Sequence, residues 1–202
     1  MHPNKVFDWT DKGEILRFVA DRAFAHIFTA SSDSLFVVHA PVLVTGGGKI
    51  WFHVARRNRI ADHLEGGPLL ISLSGRDAYQ SANWYVSENQ VPTWHYETVE
   101  IEGAARQLTE NELVALLDGL SARHEGRVSP ERPWTRDKME PGKFEQMLRA
   151  IVGFEVDPVE IRGTRKFNQH KAADDLAATV RGQQAAGRED IVAAIREAAG
   201  NE

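Results

Sequence analysis

The sequence predicts a mainly β fold with flanking helices, an α+β arrangement centred on a small antiparallel barrel. Three observations carry this expectation. Between residues 24 and 74, runs rich in Val, Ile, Phe and Trp succeed one another with short turn-forming segments between them. A strongly leucine-striped helix follows later in the chain. Strands and helices do not alternate, and no Gly-x-Gly-x-x-Gly turn follows the first strand, which excludes a doubly wound nucleotide-binding fold.

Ile15, Phe18 and Val19 recur at helical spacing behind Thr10, a suitable N-cap, and predict a first helix over 10–20. Strands follow at 24–30, 35–44, 49–54 and 69–74. Ser31-Ser32-Asp33-Ser34 and Thr45-Gly46-Gly47-Gly48 supply turn chemistry between them, so the first three strands form two consecutive hairpins. Residues 57–64 have the length of a short helix, stopped by Glu65-Gly66-Gly67-Pro68. Val99, Ile101 and Ala105 fall at even steps in a long strand over 93–108.

The pattern then changes period. Thr109-Glu110-Asn111-Glu112 has the form of a capping box, Leu108 and Leu113 suit a hydrophobic staple, and Leu113, Leu116, Leu117 and Leu120 mark one helix face. Residues 126–142, with Pro130, Pro133 and Pro141, have no usable period and read as an exposed loop anchored by Trp134. A short helix over 144–151, a strand over 153–166 and two Ala-rich helices from 172 onward, parted near 182–187, complete the chain. The expected organisation is one domain over 1–171, with the helices of 172–202 packed on it as an extension.

Composition narrows the function classes. Hydrophobic residues at 42% and charged residues at 26% suit a globular protein with a sizeable core. The 24 Lys and Arg against 29 Asp and Glu leave a formal net charge of −5, so the molecule has no global attraction for nucleic acid phosphates. Cysteine is absent, which excludes disulfides, thiolate metal sites and a cysteine nucleophile, and agrees with a reducing cytosol. The N-terminus lacks the apolar run of a signal peptide and no stretch approaches the roughly 18 apolar residues of a membrane span, so the expectation is a cytoplasmic protein without a membrane partner. The eight His accompany no HExxH pattern, so no metal site is expected.

Three segments carry more aromatic and hydrogen-bonding residues than packing requires. The first joins Phe36-Val37-Val38-His39-Ala40-Pro41 to Trp51-Phe52-His53-Val54-Ala55-Arg56-Arg57-Asn58. Guanidiniums at the start of a helix suit a phosphate; two partly buried histidines beside a solvated basic loop suit the same residues. The second runs from Tyr79-Gln80-Ser81-Ala82-Asn83-Trp84-Tyr85 to Val91-Pro92-Thr93-Trp94-His95-Tyr96, flat polar-tipped side chains that either line a pocket or plug a barrel end. The third, Arg162 to Lys171, is the densest local positive charge and suits phosphate, DNA backbone or solvent.

In this order the segments resemble the PaiB-like family of FMN-binding split-barrel proteins, many of which are named negative transcriptional regulators. The resemblance spans residues 7 to 176. It rests on Val38-His39-Ala40-Pro41, His53-Val54-Ala55-Arg56 with Asn58, Ser81 with Trp84-Tyr85, Val91-Pro92-Thr93-Trp94 with Tyr96, Gly153-Phe154-Glu155, and Lys166 with Gln169 and Lys171. Ala82 replaces a proline of the family pattern, His95 replaces an asparagine, and Asn168 and His170 also depart from it. The resemblance implies an antiparallel split β-barrel of the FMN-binding type, related to pyridoxamine-phosphate oxidases and flavin reductases, that forms a homodimer with FMN at the subunit interface. It places Val38, His39, His53 and Val54 along the isoalloxazine ring. Arg56, Arg57 and Asn58 lie toward the phosphate, and Trp84, Trp94, Lys166, Gln169 and Lys171 close the pocket. A flavin-dependent redox or flavin-sensing role leads the implied functions. A DNA-binding negative transcriptional regulator is the alternative, and a haem-binding or cofactor-free relative the second.

Overall fold

The structure is a computed structural model and describes residues 1–200. Its elements in chain order are β1 (Asp8–Trp9), α1 (Lys12–Arg22), β2 (Phe24–Ala30), β3 (Leu35–Val44), β4 (Ile50–Ala55), β5 (Pro68–Gln80), β6 (Thr93–Gln107), α2 (Glu110–Val128), α3 (Lys143–Leu148), β7 (Ile151–Val156), β8 (Glu160–Lys166), α4 (Ala173–Ala185) and α5 (Glu189–Ala198). The strands follow the order β1-β8-β6-β5-β2-β3-β4-β7, and β6 also pairs with β7, so the run from β6 to β7 closes on itself. Closure removes the free edges that an antiparallel sheet otherwise exposes. The chain divides into two compact units, one comprising Lys12–Leu73 and Glu100–Ile161, the other Met1–Asp11, Ser74–Val99 and the chain from Arg162 onward.

In the first of these units, β2 pairs with β3 from Phe24↔Pro41 to Ala30↔Leu35, and Ser31 Oγ accepts from the N–H groups of Asp33 and Ser34 in the turn. The β3–β4 hairpin closes where the Gly48 N–H donates to Thr45, with Gly48 at φ +78°, a conformation open to glycine. Alternation then sorts the side chains. Ala25, Ile27, Ala40, Val42, Ile50, Phe52 and Val54 point inward and are buried, with Phe52 stacked on Phe154 at 5.6 Å.

Outside the barrel wall, α2 lays Leu113, Leu116 and Leu120 on Leu108, Leu148, Leu43 and Trp51. Its first turn is held by the capping box, Thr109 Oγ1 accepting from the Glu112 N–H while the Glu112 carboxylate accepts from the Thr109 N–H. The same carboxylate accepts from Arg106, which also reaches Glu155 on β7. Glu155 accepts in turn from the Lys49 ammonium and the Trp51 indole N–H. The Arg106 contact, with the Thr109 bonds behind it, draws the Glu112 carboxyl down to about 2.

In the other unit, β1 pairs with β8, and α4 and α5 pack on Ala78 and Phe167 through Leu176, Val180, Ile191, Ala194 and Ile195. Gly182 on α4 lies against the Trp84 indole, where no β-carbon fits. A buried polar set accompanies this contact: Gln80 donates to Thr179, Asn168 donates to Tyr85 and Thr179, and Gln183 donates to the Tyr79 carbonyl. Asp175 accepts from the N–H groups of Val86 and Ser87 and from the Ser87 hydroxyl, pinning that loop to α4.

Several elements differ from the sequence expectation. The helix expected at 57–64 is a turn followed by one 3₁₀ turn at Ala61–His63, because Asn58 Oδ1 accepts from the Ile60 N–H and competes with helical bonding. The strand expected over 153–166 divides into β7 and β8 at Asp157-Pro158, since proline brings no donor and constrains the residue before it. The break expected after residue 74 is absent. β5 runs on to Gln80, with Gly75 against Glu97 and the Arg76 guanidinium clasped by Glu97 and Glu197. Within the loop expected at 126–142, α2 continues to Val128 and a 3₁₀ turn spans Arg136–Lys138. Among the described residues, no helix is long and apolar enough to cross a membrane.

Candidate functional site

The β2–β3 ladder fixes the first group of residues. Its outward positions are Phe24, His26 and Phe28 on one strand and Leu35, Val37 and His39 on the other, with His26 opposite His39 and their rings 4.6 Å apart. A solvated outer face ordinarily carries polar residues. Here Leu35 is 85% and Val37 49% exposed, with Phe24 and Phe28 beside them, so the face is apolar and open. Val38 is half-buried and His39 exposed.

On β4, Val54 is buried with the barrel core while His53 points the opposite way, alongside Trp51. Burial pushes the His53 imidazole below its ordinary value, and its Nδ1 is buried with no hydrogen-bond partner among the described residues. After β4 the chain enters a turn with guanidiniums at Arg56, Arg57 and Arg59. Arg56 is committed to the protein itself, donating to the carbonyls of Arg149, the C-cap of α3, and Ile151, the first residue of β7. Arg59 lies 4.8 Å over the Phe36 ring, which stacks on His63. Among the described residues, neither Arg57 nor Arg59 has a carboxylate within ion-pair distance. This turn is therefore a concentration of positive charge without carboxylate partners among the described residues, and its Arg59 meets β3 at Phe36, on the side of the strand opposite Leu35 and Val37. Its Arg57, Asn58 and Arg59 fit a phosphate, and the open apolar face of β2 and β3 fits a planar ring.

The second group lies in the other unit. Lys166 donates to Thr93 Oγ1 at 2.6 Å and burial lowers its pKa; Trp94, half exposed, meets Tyr79 edge-on at 6.1 Å. Lys171 donates to Gln90 at 2.7 Å and sits 5.2 Å over the Tyr85 ring. Trp84 and Gln169 serve the fold: the former packs on Gly182, and the latter accepts from the Phe167 N–H and donates to the carbonyls of Val6 and Arg165. Thr93 and Lys166 are thus brought together, while Trp94 meets Tyr79 and Trp84 faces α4. His95 is fully buried, edge-on to Phe167, and among the described residues neither ring nitrogen has a partner at hydrogen-bonding geometry. Burial pushes it down to about 4, with Asn168 opposing and the Lys166 charge reinforcing the effect.

Sequence reading singled out Arg56, Arg57 and Asn58 but passed over Arg59. Its spacing from Phe36 along the chain hides a cation–π contact that exists only once β3 and the turn after β4 are neighbours.

Comparison with known proteins bears on the family and the fold. Residues 1–160 match the family described as "Putative FMN-binding domain". Over 181 residues the chain is 29% identical to "Protease synthase and sporulation protein PAI 2" of Bacillus subtilis (strain 168), covering 87% of this chain and 85% of that protein. In fold it is similar to the FAD and haem binding protein of Mycobacterium smegmatis, with a TM-score of 0.61 at 16% identity over 85% of this chain and 79% of that one. It is also similar to the flavocytochrome Anf3 of Azotobacter vinelandii, with a TM-score of 0.62 at 14% identity over 82% and 72%.

Proposed function

The chain belongs to the FMN-binding domain family, with FMN as its cofactor, and from that premise we propose a flavin-dependent redox or flavin-sensing protein that works as a homodimer. The single observation that carries the reading is the turn after β4, where Arg57 and Arg59 have no carboxylate partner among the described residues. Arg57, Asn58 and Arg59 hold the phosphate end, with Arg56 fixing the turn from behind through the carbonyls of Arg149 and Ile151. Val37 and His39 offer the surface for the ring, and a second copy of the chain, seated on the β2–β3 face, excludes water from it. When bound, FMN supplies the electron-transfer chemistry, and the chain supplies position and electrostatics.

The regulator reading would require a displayed basic surface. Against that, Arg165 lies 3.4 Å over the Trp9 ring, Lys166 and Lys171 donate to neighbouring side chains, and the formal net charge is −5. The flavin reading is therefore favoured over direct DNA contact.

The test is a titration of the apoprotein with FMN, followed by flavin fluorescence, for the natural chain and for the Arg57→Ala/Arg59→Ala variant. Charge-assisted hydrogen bonds of about 1.5–3 kcal/mol each make the variant weaker by about tenfold or more. Equal affinities would refute the phosphate assignment, and a Soret band in the purified protein in place of flavin absorbance would move the reading to haem.

A further inference from the structure

Under α2 and α3, on the outer side of β4 and β7, lies a cavity of about 320 Å³ that the flavin reading does not use. Its walls are apolar and ring-bearing: Leu117, Trp134, Met139, Phe144 and Met147 surround it, and His53 forms part of the side facing the barrel. The volume falls at the lower end of the roughly 300–1,000 Å³ range of small-molecule sites. Three features distinguish it from a packing gap. His53 Nδ1 is buried and unpartnered, a state that leaves a polar group desolvated without compensation. Trp134 is 40% and Met147 62% exposed, so large apolar side chains stay open around the cavity although the helices could have closed over it. Two methionines in one wall supply a lining that reshapes around different occupants, and methionine sulfur packs well on aromatic rings. At the rim, Arg136 pairs with Asp118 at 3.2 Å and lies 5.2 Å over the Phe144 ring, giving an apolar interior with a polar edge.

We propose that this cavity is a second ligand site, one that takes a small, planar, largely apolar aromatic molecule bearing one hydrogen-bonding group directed at His53. The imidazole is neutral there and accepts or donates a single hydrogen bond without bringing a charge into the pocket. The argument uses residues of one unit alone and stands whether or not the turn after β4 holds a phosphate.

The chain offers a direct readout, since it has three methionines, of which Met139 and Met147 line the cavity and Met1 does not. In the full-length protein labelled with methyl-¹³C methionine, titration with 2-naphthol shifts the Met139 and Met147 signals saturably and leaves Met1 in place. Binding weakens by about fivefold to tenfold in His53→Phe, which preserves the ring and removes both nitrogens. It is lost in Leu117→Trp, which fills the cavity. The shifts persist when the protein is first saturated with FMN. Absence of saturable shifts up to about 1 mM in the natural chain overturns the proposal. So do a parallel shift of Met1, which marks non-specific association, and displacement of 2-naphthol by FMN, which makes the cavity part of the flavin site.

Discussion

Acidification acts on this fold most directly through His95. The unfolded chain takes up the His95 proton near pH 6.5, whereas the folded chain withholds it until about pH 4 because the ring is buried without a partner. Between those values the unfolded state binds more protons, so the stability present above pH 6.5 is lost as pH falls through the window. Each pH unit is worth about 1.4 kcal/mol, which makes the full difference about 3 kcal/mol, with roughly 2.5 kcal/mol of it already lost at about pH 4.5. Replacing His95 by Phe removes the titrating group and keeps an aromatic ring against Phe167. Urea unfolding of both proteins at about pH 7 and about pH 4.5 isolates the effect, because the constant packing cost of the larger ring cancels between the two pH values. The natural chain should lose about 2 kcal/mol more than His95→Phe on going to the lower pH. Equal losses, or an NMR titration in which the folded His95 ring protonates near its ordinary value, would refute the reasoning.

Three further outcomes follow from the contacts described. Thr109→Ala removes the acceptor for the Glu112 N–H and should lower the unfolding free energy by about 1 kcal/mol, read from the urea midpoint at unchanged slope. Gly182→Ala drives a methyl into the Trp84 indole and should cost about 1–3 kcal/mol; a neutral result in thermal unfolding would show that α4 and Trp84 separate easily. Val37→Glu places a charge on the open face of β3, so sedimentation should give a monomer and FMN affinity should fall with it, whereas an unchanged dimer would remove that face from the proposed interface.

Local signals were legible where one segment both writes and satisfies them. The capping box at Thr109, the Leu113–Leu120 stripe, the Gly48 turn and the β2–β3 hairpin all formed as their residues predict. Where a distant partner decides, the sequence misleads. Gly75-Arg76-Asp77 looks like the end of a strand, yet Glu97 from the neighbouring strand and Glu197 from α5 absorb the charge and β5 continues. Gly182 looks like a helix break, yet it is the contact that admits Trp84 to α4. The same rule divides the candidate residues. The chemistry of Arg57, Asn58 and His39 is written in their residue types, but the commitment of Arg56 to the Arg149 and Ile151 carbonyls, the turn of Gln169 toward Val6 and the Nδ1 of His53 that lacks a partner among the described residues depend on contacts far away along the chain or on their absence.

The first turn of a helix is ordinarily where it frays, because its N–H groups lack intrahelical acceptors. In α2 that turn is riveted: Glu112 joins Thr109 to Arg106, and Arg106 reaches Glu155 and through it Lys49 and Trp51. The helix therefore cannot peel from its start. Near its other end Arg123 and Arg127 pair with Asp21 at the end of α1, so the 19-residue cylinder is tied at both ends and behaves as a strut, not a hinged flap.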